Sequence, residues 1–165
     1  MCLSQIKSCG LTAAWFLLGL QSMTQIAIAA APTDACALLL QREVATALGV
    51  SVDPGKHKIS VGDCRWTEPG RSVADGAVLQ VSVTEAQAFE IGKTPISGWN
   101  KKPETGLADD AYFVDNGKVN FLVSPTLSVK KGPVFFVIAA KVPKASLEQT
   151  KAIEKTVAVI VLGKL

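Results

Sequence analysis

His57 is the only histidine in the chain. An imidazole titrates near neutrality and, beside a carboxylate, serves as a general base. Here it stands between Lys56 and Lys58, just after the turn signal Asp53-Pro54-Gly55, which predicts an exposed loop instead. Cys36 and Cys64 flank it, 21 residues before and 7 after. Those spacings match no zinc pattern, and no Cys-x-x-Cys redox motif is present. No metal and no cofactor are therefore expected. The serines lack a Gly-x-Ser-x-Gly elbow, and a Ser–His–Asp triad would have to use His57. Asp109 and Asp110 are adjacent, whereas a calcium loop alternates its acids and ends on a bidentate glutamate. They are expected at a turn or the start of a strand. Glu85 and Glu90 would form a glycosidase pair only across a cleft. On one short helix, five residues apart, they point in different directions. No catalytic residue is predicted. Trp99, between Gly98 and Asn100 in a long loop, is the one candidate binding anchor, because an exposed aromatic ring carries much contact energy. Trp66 lies in step with Cys64 and is expected to pack near it.

These residues sit in a chain that reads as exported. Lys7 precedes the apolar run Leu11–Leu20, and Ala27-Ile28-Ala29 and Ala29-Ala30-Ala31 offer small residues to a signal peptidase. Cleavage is expected after Ala31, with Ala29 as the alternative, so that residues 1–31 are a leader and 32–165 a single domain. The apolar run is about half of the roughly 20 residues that span a bilayer. Thr33-Asp34-Ala35 before Cys36 is no lipidation box. Cys2 and Cys9 leave with the leader, and Cys36 and Cys64 are expected to pair in an oxidising compartment, periplasmic or extracellular. The 17 Lys and Arg against 14 Asp and Glu leave too small an excess to argue for a polyanion, and no aromatics interleave the short basic clusters, so no nucleic-acid partner is expected.

The elements that must position the chemistry follow from periodicity. Asp34 can cap a helix over Cys36–Leu48, with a break near Leu40-Gln41 and Gly49 as its stop. Strand signals run from Lys58 through Ile59 and Val61, pause at Gly62-Asp63, and resume at Cys64 and Trp66. Ala77–Thr84 alternates cleanly, which means one buried and one wet face. Glu85–Ile91 reads as a short helix and Thr94–Asp110 as an unpatterned loop. Ala111–Val114 and Val119–Val123 flank Asn116-Gly117, the sequence of a type I′ hairpin. Thr126–Lys130 and the apolar Val134–Val142 follow, the latter expected at the sheet centre. Ser146 and Gln149 form a capping box for a last helix. The fold class is α+β: a mostly antiparallel sheet, two main helices near the termini packed on one face, and one disulfide.

Cys36-Ala37-Leu38-Leu39, Glu43-Val44, Ala47-Leu48-Gly49 and Cys64-Arg65-Trp66, with the later Gly106-Leu107-Ala108-Asp109-Asp110-Ala111-Tyr112, resemble a pattern in small exported bacterial domains of unknown function. These are frequent as actinobacterial lipoproteins and occur in proteobacteria. The resemblance covers most of the chain after the leader. It implies a fold and a compartment and carries no catalytic residues. Two departures stand out: Leu40 where that family has Thr, and no lipidation box.

The expected function is that of a non-enzymatic exported module binding a small ligand or another envelope protein. Two alternatives stand beside it. A hydrolase would show a pocket with two acids, or His57 with an acid. A structural envelope protein would associate through a sheet edge.

Overall fold

The computed structural model describes residues 34–119 and 125–165. The leader and Val119–Val123 beyond its first residue lie outside them.

Asp34 behaves as its sequence position dictates. Its Oδ1 accepts from the backbone N–H of Cys36 and Ala37 and starts a 3-10 turn, Ala35–Leu38. The chain then extends through Leu39 and Leu40 and begins α1, Gln41–Leu48. The expected break is therefore real. Gly49, at φ 71°, ends α1 in the left-handed conformation that glycine adopts without steric cost.

Seven strands follow among the described residues: β1 Lys56–His57, β2 Asp63–Thr67, β3 Val78–Glu85, β4 Asn100–Pro103, β5 Asp110–Asp115, β6 Thr126–Lys131 and β7 Val134–Lys141. They form one sheet in the order β1-β2-β3-β7-β6-β5-β4, and every pair is antiparallel. The apolar β7 is central, as its composition demands. Helix α2, Gln87–Gly92, lies between β3 and β4, and α3, Leu147–Leu162, closes the chain under the Ser146–Gln149 capping box.

Strand alternation assigns the two faces. Cys64, Trp66, Leu79, Val81, Phe136, Ile138, Leu127, Val129, Ala111 and Phe113 point to the face covered by the 3-10 turn, α1 and α3, and they form the main core. The opposite face carries Tyr112 and Phe135, which enclose Phe89 of α2 in a smaller cluster with ring centroids 5.0 and 5.4 Å apart. The two main helices share one face, and the short α2 covers part of the other.

Four local expectations are corrected. Residues 58–62 are the turn between β1 and β2, not a strand, and Ile59 is 92% exposed: the apolar alternation there has no buried face to serve. Glu85 ends β3 opposite Val134, and α2 begins two residues later. The segment Thr94–Asp110 contains the edge strand β4, whose Asn100–Pro103 pair with Tyr112–Asp115 of β5. Its Lys101-Lys102 and Pro103 hide the strand from periodicity, and the same residues blunt the edge. Asn116-Gly117 does not form a type I′ hairpin. Gly117 has φ 78° but Asn116 is not left-handed, and Val114 pairs across to Thr126. Asp115 Oδ1 accepts from the N–H of Gly117 and Asn116 Oδ1 from that of Lys118, so side chains help to shape this turn.

Candidate functional site

Cys36 and Cys64 are joined in a disulfide, with Cα atoms 5.0 Å apart. It ties the 3-10 turn to β2. Gly55 passes directly over it: a Cβ there would lie 2.7 Å from both Cys64 Sγ and the Trp66 ring, so Trp66 packs in the same layer as the disulfide. The two sulfurs are unequal, since Cys64 is fully buried and Cys36 is half-buried.

His57 stands at this disulfide. The β1–β2 register makes it the cross-strand partner of Cys64. Its Nδ1 lies 3.5 Å from Cys36 Sγ and its Nε2 3.6 Å from Asp34 Oδ1. Asp34, Cys36 and His57 are thus one cluster of metal-ligating and proton-transferring groups. His57 is exposed, as the sequence predicts. Its carboxylate partner is Asp34, which the sequence identifies only as a cap. The signal for that pairing is tertiary, because the disulfide brings the 3-10 turn beside β1.

A second constellation lies on the sheet face that carries α2, away from the helix. Gln80 Nε2 donates to Asp63 Oδ1 at 2.9 Å, and the Ser82 hydroxyl donates to the same oxygen at 3.0 Å. Arg65 donates to Gln80 Oε1 from Nε at 3.0 Å and from Nη2 at 2.6 Å. Asp63 is buried, while Arg65, Gln80 and Ser82 are half-buried, as are Val137 and Ala139 beside them. These polar groups are mounted on paired strands and hold one another in place. The alternation of Gln80 and Ser82 in β3 marks this wet face in the sequence. No sequence signal singles out Asp63 and Arg65, because Asp63 follows Gly62 and reads as part of a break.

A third group lies between the β4–β5 edge and α3. A polar groove of about 350 Å³ is lined by Lys102, Glu104, Phe113, Glu148, Lys151 and Lys155. Lys155 pairs with Glu104 at 2.8 Å, and Lys151 pairs with Asp115 at 2.9 Å. Burial pushes the Asp115 carboxyl up, but Lys151, Asn100 and the Gly117 N–H outweigh it and leave it below the usual range. Burial likewise pulls Lys151 down, and Asp115 and Glu148 hold it above its ordinary value. Next along α3, Glu154 is fully buried. One oxygen accepts from the Ala140 N–H at 2.9 Å and the other has no hydrogen-bond partner among the described residues. Burial raises its carboxyl well above the ordinary value, against the Ala140 N–H and Lys151.

The remaining sequence candidates do not converge. Trp99 is half-buried and precedes β4, at the far edge of the sheet from Arg65. Asp109 accepts from the Gly132 N–H at 2.6 Å, closing a turn, and Asp110 pairs with Lys93. Glu90 pairs with Lys130 at 3.0 Å and Lys93 at 3.5 Å on the surface, while Glu85 sits at the end of β3. Among the described residues no helix is long and apolar enough to cross a membrane. No family model matches the chain, and none of the curated proteins or solved structures compared with it gives a match.

Proposed function

We propose that the protein is an exported, non-enzymatic module that binds a polar ligand, a small molecule or a surface of another envelope protein, on the part of the second sheet face not covered by α2. One observation carries this reading: Asp63 and Arg65 of β2 and Gln80 and Ser82 of β3 form a hydrogen-bonded row on two adjacent strands, with Arg65, Gln80 and Ser82 half-exposed next to Val137 and Ala139 of β7. Polar groups fixed on paired strands lose little entropy when a ligand docks, and nearby small apolar side chains allow close approach. The leader-like residues 1–31, the Cys36–Cys64 disulfide and the resemblance to exported domains support the compartment. A hydrolytic reading has the Asp34–His57 pair in its favour, but its nearest nucleophile, Cys36, is spent in the disulfide. Association through a sheet edge has less to recommend it: β1 has two residues, and β4 carries two lysines and a proline.

The test is native mass spectrometry of the full chain expressed with its leader and recovered from the periplasm or medium. The expected spectrum shows a chain cleaved after Ala31 or Ala29, oxidised at Cys36–Cys64, with a reproducible non-covalent adduct. An uncleaved, reduced, cytoplasmic product would remove the exported reading.

A further inference from the structure

The corner where the 3-10 turn, β1 and β2 meet gathers more ligating groups than a structural disulfide needs. We propose that reductive opening of Cys36–Cys64 creates a site for a thiophilic divalent ion of the zinc class, ligated by Cys36 Sγ, Cys64 Sγ and His57 Nδ1, with Asp34 orienting the imidazole.

One pair of donors already stands at ligand spacing. Zinc lies about 2.3 Å from thiolate sulfur and about 2.0–2.1 Å from imidazole nitrogen, so a tetrahedral angle separates the two donor atoms by about 3.5 Å. His57 Nδ1 and Cys36 Sγ are 3.5 Å apart. Cys64 lies directly across the β1–β2 ladder from His57 and shares its face. Asp34 Oδ1 is 3.6 Å from His57 Nε2. A metal-bound histidine characteristically gives its second N–H to a carboxylate, which fixes the ring and directs the other nitrogen's lone pair to the metal. Asp34 is itself anchored, because it accepts from the backbone N–H of Cys36 and Ala37. It therefore positions one ligand through its backbone and another through its ring.

The switch balances chemically. A dithiol attacks the half-exposed Cys36 sulfur, passes two electrons to the disulfide and leaves as its own disulfide, and Cys36 and Cys64 each gain a proton. Zinc then displaces both thiol protons. Two thiolates neutralise the ion, and three protein ligands leave the fourth position for water.

Cobalt(II) and zinc(II) titrations of the whole exported protein test this, oxidised and after reduction by a water-soluble phosphine, which avoids a competing thiol. The reduced wild type is expected to bind one cobalt per chain with thiolate charge-transfer and tetrahedral d–d absorption, and zinc to displace it. The oxidised protein gives neither band. His57→Ala is expected to weaken cobalt binding at least tenfold and change the d–d bands. Asp34→Asn, which keeps the helix cap, weakens it about tenfold without changing the ligand set. Far-UV circular dichroism follows the fold: if the reduced apo chain loses structure, metal restores it in the wild type and not in His57→Ala. A reduced wild type without thiolate charge-transfer absorption overturns the proposal. So does a His57→Ala protein with wild-type affinity, spectrum and recovery of structure.

Discussion

Leu40 occupies a position where a helix asks for a side-chain oxygen. It is the N-cap of α1, in extended conformation, and Glu43 Oε2 reaches back to its N–H at 2.7 Å. Glu43 thus supplies its half of a capping box, and Lys164 at 2.6 Å helps to hold its carboxyl below the usual range. Leucine, 47% exposed, supplies no return bond. Leu40→Thr should complete the box and stabilise the fold by about 0.5–1 kcal/mol, measured by urea unfolding. An unchanged midpoint would mean that Glu43 already does the whole job. Glu154 poses the opposite case, a carboxyl in a place that favours its neutral form. Its ordinary pKa is 4.5 and the fold raises it. The neutral form's contribution is therefore full below about 4.5 and is lost as pH rises through the folded value. Glu154→Gln keeps an acceptor for the Ala140 N–H and removes the charge. Its stability should exceed wild type above that window, with the gap closing on acidification, in urea melts across pH. A gap independent of pH would contradict the assignment.

Elements are fastened to one another at a few points. Lys151 of α3 reaches Asp115 of β5 at 2.9 Å, with both side chains nearly inaccessible, at 9% and 3%. Removing the ammonium leaves a buried carboxylate without the Lys151 counter-charge, held by Asn100 and the Gly117 N–H, so Lys151→Met should cost about 3 kcal/mol or more at neutral pH. A loss under 1 kcal/mol would show that water reaches Asp115. The disulfide fastens the 3-10 turn to β2 across 28 residues of sequence. Its replacement by Cys36→Ala with Cys64→Ser should cost about 3–4 kcal/mol in the chain-entropy account. A smaller loss would point to residual structure in the unfolded chain. At this scale the sequence was legible where a face is uniformly apolar or alternates cleanly. Ala77–Thr84, Val134–Val142 and the last helix lie close to where periodicity puts them. It was not legible where charge enters a buried stripe. Periodicity in α3 selects Leu147, Thr150, Ile153, Val157, Ile160 and Val161; the helix buries Thr150, Val157 and Val161 among these, and beside them Lys151, Glu154 and Ala158, which periodicity does not select. Lys151 and Glu154 are tolerated because partners on β5 and β7 receive them, and a linear pattern contains no such partners. The edge strand β4 is hidden for a related reason, since its lysines protect an edge rather than build a core.

At the scale of the whole molecule, the described residues form a seven-stranded antiparallel sheet with its main core under α1 and α3 and a lesser one under α2. Asymmetric coverage leaves the Asp63–Arg65–Gln80–Ser82 row on the second face. Half of that site was visible as the polar positions of β3. The other half came from β2, whose register with β3 places Asp63 opposite Ser82 and Arg65 opposite Gln80. The Asp34–His57 pairing likewise required the disulfide to close. One measurement bears most directly on the binding proposal: native mass spectrometry of the exported wild type beside an Arg65→Ala, Gln80→Ala double variant of matching thermal stability. The account predicts an adduct on the wild type that the variant loses. A wild type free of adduct in periplasmic extract, or an adduct retained in full by the variant, would contradict the second sheet face as the binding surface.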